Sequence, residues 1–396
     1  MVHDDPVVII CGKRSPLGAL QGTLSSLTAV DIGAQIVKAC LSPLPRKAIV
    51  DEILMGCVLP AGLGQAPARQ VALKAGLPVS TFATTVNKVC GSGLQTVIFA
   101  CNALLAGSSK IIIAGGMESM SNAPHLLMKA RTGYRFGHGE LVDHTLIDGL
   151  EDPYHNRRLM GEFAEDVAQK YGFSRHAQDA YALQSFTRAQ RAIASSVFSH
   201  EIVPLTWTSR KGETTCAQDE IPYKSDLERI PTLRPSFREN GTVTAASASA
   251  IADGAAACVL MNESTARSFG LKPLARIVAY AGFAQEPRYF ITAPVGAIRA
   301  VLERTGWGTK DVDLYELNEA FAVVVMAAMH DLKLDFEKIN IHGGACALGH
   351  PLGASGTRIL VTLMHALATR KAKRGIASLC VGGGEAVAIA IERYCD

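Results

Sequence analysis

The 396-residue sequence holds 10 cysteines but no CxxC pair and no Cys/His cluster at zinc-ligand spacing, so a structural zinc framework is excluded. It has no long basic run, and its formal net charge is only +3, which argues against a nucleic-acid partner. No apolar run reaches the roughly 18 to 20 residues that a bilayer-spanning helix needs, and no membrane association is expected. The start, Met1-Val2-His3-Asp4-Asp5, runs straight into Val7-Val8-Ile9-Ile10, too short and too acidic for a signal peptide. The glycine run at Gly382-Gly383-Gly384 lacks GxGxxG spacing and has no acidic residue about 20 positions on, so a dinucleotide loop is a weak reading. These absences point to a soluble chain with free thiols in a reducing compartment, with the cytoplasm as the expected location.

Against these absences stand 48% hydrophobic and 19% charged residues, ample for a large core over two to three domains at about 150 residues each. The 36 glycines point to tight packing and many close turns. The chain also repeats itself. Gly91-Ser92-Gly93 opens a helical run from Leu94 to Leu105, followed by a strand from Lys110 to Ala114 that ends in Gly115-Gly116-Met117-Glu118. Gly353-Ala354-Ser355-Gly356 likewise opens Thr357 to Leu367, followed by a strand from Ile376 to Val381 that ends in Gly382-Gly383-Gly384-Glu385. Upstream, helical segments (Ala29 to Leu41, Val295 to Thr305) precede the similar stretches Ile49 to Leu54 and Asp311 to Leu317. Strands alternating with helices predict βαβ units with mixed, mostly parallel sheets, duplicated about a pseudo-twofold. Residues 121 to 247 differ: more polar, with a helical block from Glu162 to Ser196 and a turn-rich stretch from Lys211 to Pro235. They read as an insertion or lid between the halves.

Four places carry chemistry. Cys90 follows an expected strand (Thr84 to Val89) and precedes a helix, where unpaired N–H groups and the helix dipole lower a thiol's pKa. His350 is fixed in Gly349-His350-Pro351 as a candidate base or hydrogen-bond donor. Cys380 meets the three glycines, whose N–H groups can form an oxyanion site. Asn318, in Asn318-Glu319-Ala320-Phe321-Ala322 at a strand end, can hold a water or a carbonyl. Each has a plainer account when taken alone: packing cysteines, a surface-loop histidine, an N-cap asparagine. Cys11, Cys40, Cys57, Cys101, Cys258, Cys346 and Cys395 are read as packing residues. Two thiols and one imidazole suffice to make or break a carbon–carbon bond through a covalent acyl intermediate, with no metal or redox cofactor.

Taken together, Asn87-Lys88-Val89-Cys90-Gly91-Ser92-Gly93, Gly115-Gly116-Met117-Glu118-Ser119-Met120, Asn318 to Ala322, Gly349 to Gly356 and Cys380 to Gly384 are far more specific. On them the sequence resembles the thiolases across essentially its whole length. The resemblance implies a duplicated five-layer αβαβα fold with an inserted loop domain: residues 1–120 plus 248–270 as one half, 121–247 as the insertion, 271–396 as the other half. It implies a homodimer or homotetramer using coenzyme A and acyl-CoA as substrates, with no further cofactor. His350 would deprotonate Cys90, whose thiolate would accept an acyl group; Cys380 would remove the α-proton of a second acyl-CoA. One oxyanion site would be His350 with a water on Asn318, the other the N–H groups of Cys90 and Gly382. By the same resemblance Ser249 would contact pantetheine, Ala320 and Phe321 would line its arm, and Met160 would sit near the acyl group. Lys224 and Arg229 are charge-based candidates for the nucleotide phosphates, with solvated surface charge as the alternative.

The sequence departs from the short-chain members at Leu159 in place of histidine, at Phe290 to Pro294 in place of Met-Gly-x-Gly-Pro, and at Ser247 in place of asparagine. The arginine often found ahead of Leu233-Arg234-Pro235 has no counterpart. These positions leave acyl length open. Two other classes stay in view: a ketoacyl-synthase-like condensing enzyme, for which His342 would be the second histidine, and a non-catalytic acyl-CoA-binding protein.

Overall fold

Thr28 accepts a hydrogen bond from the backbone N–H of Asp31, whose carboxylate turns back to Thr28, and this capping box starts helix α1 (Ala29–Cys40). Ile32, Ile36, Val37 and Cys40 then fall on one face, which packs on a sheet. The same logic builds the rest of the computed structural model, which describes residues 5–209 and 212–394. Cys395, Lys211 and the segment Met1 to Asp4 lie outside the described residues.

The first half contributes strands β1 (Val7–Arg14), β2 (Glu52–Gly56), β3 (Phe82–Val86), β4 (Ile111–Ser119) and β5 (Ala252–Asn262). The second contributes β6 (Ala275–Ala284), β7 (Leu314–Leu317), β8 (Arg374–Val381) and β9 (Glu385–Arg393). The strand order is β7-β8-β9-β6-β1-β5-β4-β2-β3, and the halves meet at β1 and β6 through only two residue pairs, Val8 with Arg276 and Ile9 with Ala275. α1 and α2 (Pro67–Lys74) cover the outer face of the first sheet. Helices α4 (Met160–Tyr171) and α5 (Arg175–Ala194) belong to the insertion. α6 (Ala293–Thr305) and α7 (Ala322–Leu332) cover the second sheet. Between the sheets lie α3 (Ser92–Leu105) and α8 (Leu352–Thr369), packed on one another. With protein on all sides, α8 is buried without a break from Leu352 to Met364. This is a five-layer αβαβα arrangement, and the expected duplication is legible in it: the order β7-β8-β9-β6 repeats β2-β4-β5-β1, with β3 an additional edge strand of the first half. No helix among the described residues is long and apolar enough to cross a membrane.

The contact between α3 and α8 sets the geometry of the seam between the halves. Their N-terminal turns meet backbone to backbone. A Cβ on Gly116 would lie 1.9 Å from the Gly353 carbonyl oxygen, and one on Gly356 would lie 2.2 Å from the Leu94 nitrogen. Gly116→Ala must therefore push the two halves apart. We expect a stability loss of about 1–3 kcal/mol or more and a fall in turnover beyond what the unfolded fraction explains. Thermal unfolding and turnover measured side by side check this. Gly282→Ala, whose Cβ meets nothing nearer than 3.8 Å, should change neither.

Several local expectations are corrected. The sheets are mixed but not mostly parallel: β2 pairs in parallel with β3 and β4, and β7 with β8, while the long strands β5 and β9 run antiparallel to both neighbours. Gly115-Gly116 does not end a strand; β4 runs through it to Ser119, because glycine is needed where the backbone of α8 comes close. The strand before Cys90 stops at Val86, since Val89 adopts a left-handed conformation (φ 46°). The helical block Glu162 to Ser196 is two helices, broken where Gly172 takes a left-handed C-cap and Ser174 caps α5. The turn-rich stretch carries a hairpin strand, Gly212–Cys216, paired with Leu205–Ser209.

Candidate active site

Val89 is β-branched and sits at φ 46°, a conformation that costs roughly 1–3 kcal/mol and persists only where the surroundings enforce it. It turns the chain so that Cys90 stands just ahead of α3. A Cβ on Gly91 would lie 2.7 Å from Val381, so the turn also rests directly on β8. The Cys90 sulfur receives backbone N–H groups from Gly382 and from Cys90 itself. Such groups lower a thiol's pKa, as its place before a helix predicts. Burial outweighs them, and the thiol is pushed up to about 11.

His350 is held by three contacts. Its backbone N–H donates to the Ala250 carbonyl at 2.9 Å. Its Nδ1 lies 2.5 Å from Ser355 Oγ, and the Ser355 hydroxyl donates to the Pro351 carbonyl at 2.9 Å. A hydroxyl has one proton to give, so Ser355 accepts from His350 Nδ1–H, which leaves Nε2 as the free lone pair. Burial, with help from the Arg358 charge, drives the imidazole down to about 3, so it is neutral at ordinary pH. Asn318 is fully buried, with its Nδ2 3.4 Å from that Nε2. Its amide orientation is set by the Arg358 guanidinium, 3.5 Å from Oδ1, and Arg358 is itself paired with Glu316 at 3.2 Å.

Cys90, His350 and Gly382 line one pocket of about 250 Å³, together with Ser249, Met160, Ala320, Phe321 and Phe290. Cys380 is not in its wall; it is buried in the apolar cluster that holds the wall residues Phe290, Ala320, Phe321 and Met160. Its thiol is pushed far up, first by burial and then by proximity to the Cys90 sulfur. A wider cavity of about 630 Å³ shares Met160, Ser249, Phe321 and His350 and continues past Leu159 and Phe237 to Lys224. The segment carrying Ser249 is tied into this wall: Ser249 N–H donates to Ala320 O at 2.9 Å and Ala322 N–H to Ser247 O at 2.7 Å.

Of the sequence candidates, Asn318 and Cys380 are buried behind the cavity walls rather than lining them; Arg229 is brought to neither cavity and is exposed on a short turn, while Lys224, ion-paired with Glu220, lies at the wall of the wide one. Leu159 lines the wide cavity and Phe290 the narrow one. His342 packs edge-on against Phe198 and lines neither, so no second imidazole faces Cys90. Sequence reasoning missed Ser355 and Arg358, one and two helical turns beyond His350. It also missed Glu118, a buried carboxylate that accepts N–H groups from Val58 (3.0 Å), Leu59 (3.1 Å) and Gly353 (2.7 Å) and so ties the His350 loop to the first half. Burial raises that carboxyl to about 7. The motif spacing itself was the available signal, with polar residues in glycine-rich strings where a sheet would bury them.

A thiol and an imidazole lining one pocket at the seam of a duplicated αβαβα fold, with a second thiol buried in the cluster behind its wall, are the features of an acyl-transferring condensing enzyme. The chain belongs to the thiolase family: residues 7–264 match its N-terminal domain and residues 271–393 its C-terminal domain. It is 49% identical over 389 residues to an acetyl-CoA acetyltransferase of Escherichia coli, covering 98% of each chain. To the acetyl-CoA acetyltransferase of Allochromatium vinosum it is 46% identical, over 98% of this chain and all of that one. Among solved structures it superposes on a thiolase of Ascaris suum in complex with coenzyme A (TM-score 0.93, 41% identity, 98% and 100% coverage). It also superposes on the Bacillus anthracis acetyl-CoA acetyltransferase (TM-score 0.96, 40% identity, 98% and 99% coverage).

Proposed function

We propose that this acyltransferase condenses two acyl-CoA molecules to a 3-ketoacyl-CoA, or cleaves one with coenzyme A, by a ping-pong route through acyl-Cys90. The observation that carries the reading is the pocket lined by Cys90, His350 and Gly382, with Cys380 buried in the apolar cluster that forms part of its wall. His350 Nε2 takes the Cys90 proton as the thiolate attacks the thioester. The N–H groups of Cys90 and Gly382, which hold the resting sulfur, hold the developing oxyanion; oriented donors of this kind are worth roughly 10²–10³ in rate each. Coenzyme A leaves with the proton from His350. Cys380, as thiolate, takes the α-proton of the incoming acyl-CoA, whose enolate oxygen accepts from a water on Asn318. The carbanion then attacks the acyl-Cys90 carbonyl, the C–S bond breaks, the 3-ketoacyl-CoA leaves, and the Cys90 thiolate takes up the proton held on Cys380.

Ser249, Ala320 and Phe321 line the pantetheine arm, with Lys224 toward the nucleotide end. The division at 1–120 plus 248–270, 121–247 and 271–396 assigns that arm to the joint between insertion and halves. The protein works in the cytoplasm as a homodimer or homotetramer. Supporting assembly, β3 is an edge strand with Phe82 75% exposed and neighbouring Val79 81% exposed, a surface that calls for a partner edge.

The narrow pocket carries Asp148 and Glu151 but no Lys or Arg in its wall, so acyl chains ending in a carboxylate are disfavoured. A thiolysis profile over acetoacetyl-CoA, 3-ketohexanoyl-CoA, 3-ketooctanoyl-CoA and 3-ketoadipyl-CoA tests the reading, and no turnover of any by folded protein ends it. In the same assay Phe290→Ala should shift preference to the longer chains by about tenfold, since a few methylenes in an apolar pocket are worth about 1–3 kcal/mol. Leu159→His should alter KM for coenzyme A and leave chain preference unchanged.

A further inference from the structure

A second group of thiols lies outside this site. In β1 the register against β5 shifts between Ile9 and Cys11, and this bulge turns Cys11 to the same face as Val8 and Ile10, the face covered by α1. Cys40, the last residue of α1, comes down on that face: its sulfur lies 3.4 Å from the Ala257 carbonyl, and Ala257 is the register partner of Lys13. Both thiols therefore lie on one patch of the sheet, Cys40 over Ala257 and Cys11 opposite Val259 two residues along the same strand. Cys11 also forms part of the wall of a separate cavity of about 610 Å³, with Lys13, His200, His365, Ser42 and Thr369. None of these residues lines the cavities around Cys90. Lys13 Nζ is fixed by the His200 carbonyl at 2.6 Å, and His365 Nε2–H donates to the Gly12 carbonyl at 3.1 Å. The thiol therefore stands beside a positioned ammonium in a space with room for a peptide-sized molecule.

We propose that Cys11 and Cys40 are a thiol–disulfide exchange pair that reacts with a small anionic disulfide of the oxidised-glutathione class entering this cavity. Lys13 attracts the carboxylates of the disulfide, and Cys11, as thiolate, attacks one of its sulfurs. The S–S bond of the small molecule breaks, one of its thiolates leaves and takes up a proton, and a mixed disulfide remains on Cys11. Cys40 then loses its proton to solvent and attacks the Cys11 sulfur; the second small thiolate leaves and is protonated. Two protein thiols have given two electrons, and one small disulfide has become two thiols. The product ties α1 to β1, the strand through which the two sheets meet. The thiol energetics agree: Cys11 is pulled below the ordinary thiol range by the neighbouring Cys40 thiol and the Lys13 charge, whereas burial pushes Cys90, Cys101 and Cys258 up.

The test is incubation of the full-length protein with oxidised glutathione, followed by thiol counting in denaturant and non-reducing peptide mapping. The expected result is loss of two thiols, recovered as a linked Cys11–Cys40 peptide, with the linkage absent in Cys11→Ser. In Cys40→Ser, the glutathione adduct should persist on Cys11, because nothing resolves it. That second variant keeps the proposal testable even if Cys11→Ser folds poorly. Recovery of Cys11 and Cys40 as reduced residues while oxidation falls on Cys90 or Cys380 would overturn it, as would a Cys40→Ser protein carrying no adduct on Cys11.

Discussion

Cys380→Ala should still release one equivalent of coenzyme A from acyl-CoA and then stop. Cys90, His350 and the Gly382 N–H are untouched by this change, so the first half-reaction keeps its nucleophile, base and oxyanion donors. What is lost is the group placed to take the α-proton, and a positioned general base is worth roughly 10²–10⁴ in rate. Turnover should fall by at least that factor while the stoichiometric burst stays. The checks are rapid-quench measurement of released coenzyme A and mass detection of the acylated Cys90 peptide. A variant that loses the burst together with turnover would mean that Cys380 acts in acylation, contrary to the order of steps proposed.

The second large effect is expected at His350. Its replacement by Gln removes the proton acceptor from Cys90, so the loss should reach about 10²–10⁴-fold. The pH behaviour of the unmodified protein bears on the same pair. With Cys90 raised to about 11 and His350 lowered to about 3, the resting state is neutral thiol plus neutral imidazole. Cys90 alkylation by iodoacetamide should therefore climb steadily from pH 7 toward 11, with no step near the ordinary histidine range. Both groups also make stability depend on pH. Below about 6.5 the unfolded chain binds a proton that folded His350 refuses until about 3, so its contribution falls as pH falls through that window. Above about 9 the unfolded Cys90 ionises first, and stability falls again toward pH 11. Alkylation that plateaus near neutrality would contradict a protonated resting thiol.

Cys90, His350 and Cys380 were legible because each sits in a glycine-rich string, whereas Asn318 was legible only as an amide at a strand end. The duplication was legible in the same glycine-rich strings. The sign of the Cys90 shift was not: a helix start can be read from Gly91-Ser92-Gly93, but the covering of that thiol by β8 and the Gly382 turn comes from almost 300 residues away. Ser355 and Arg358 were hidden because their roles depend on which way α8 faces. Gly116 looked like a strand end, since the backbone that forbids a side chain there belongs to the other half. Leu159 and Phe290 looked like one pocket wall, and only the path of the chain between α4 and α6 puts them in different cavities.

One consequence concerns how the enzyme fails under heat. The sheets are stitched by two residue pairs at β1 and β6; between them α3 and α8 share one apolar core with both sheets, and bare backbone meets at their N-terminal turns. That junction is also where the thiol and the imidazole face each other. Any loosening of one lobe against the other is felt there first, long before a helix unwinds, so catalytic silence should precede the melting of secondary structure.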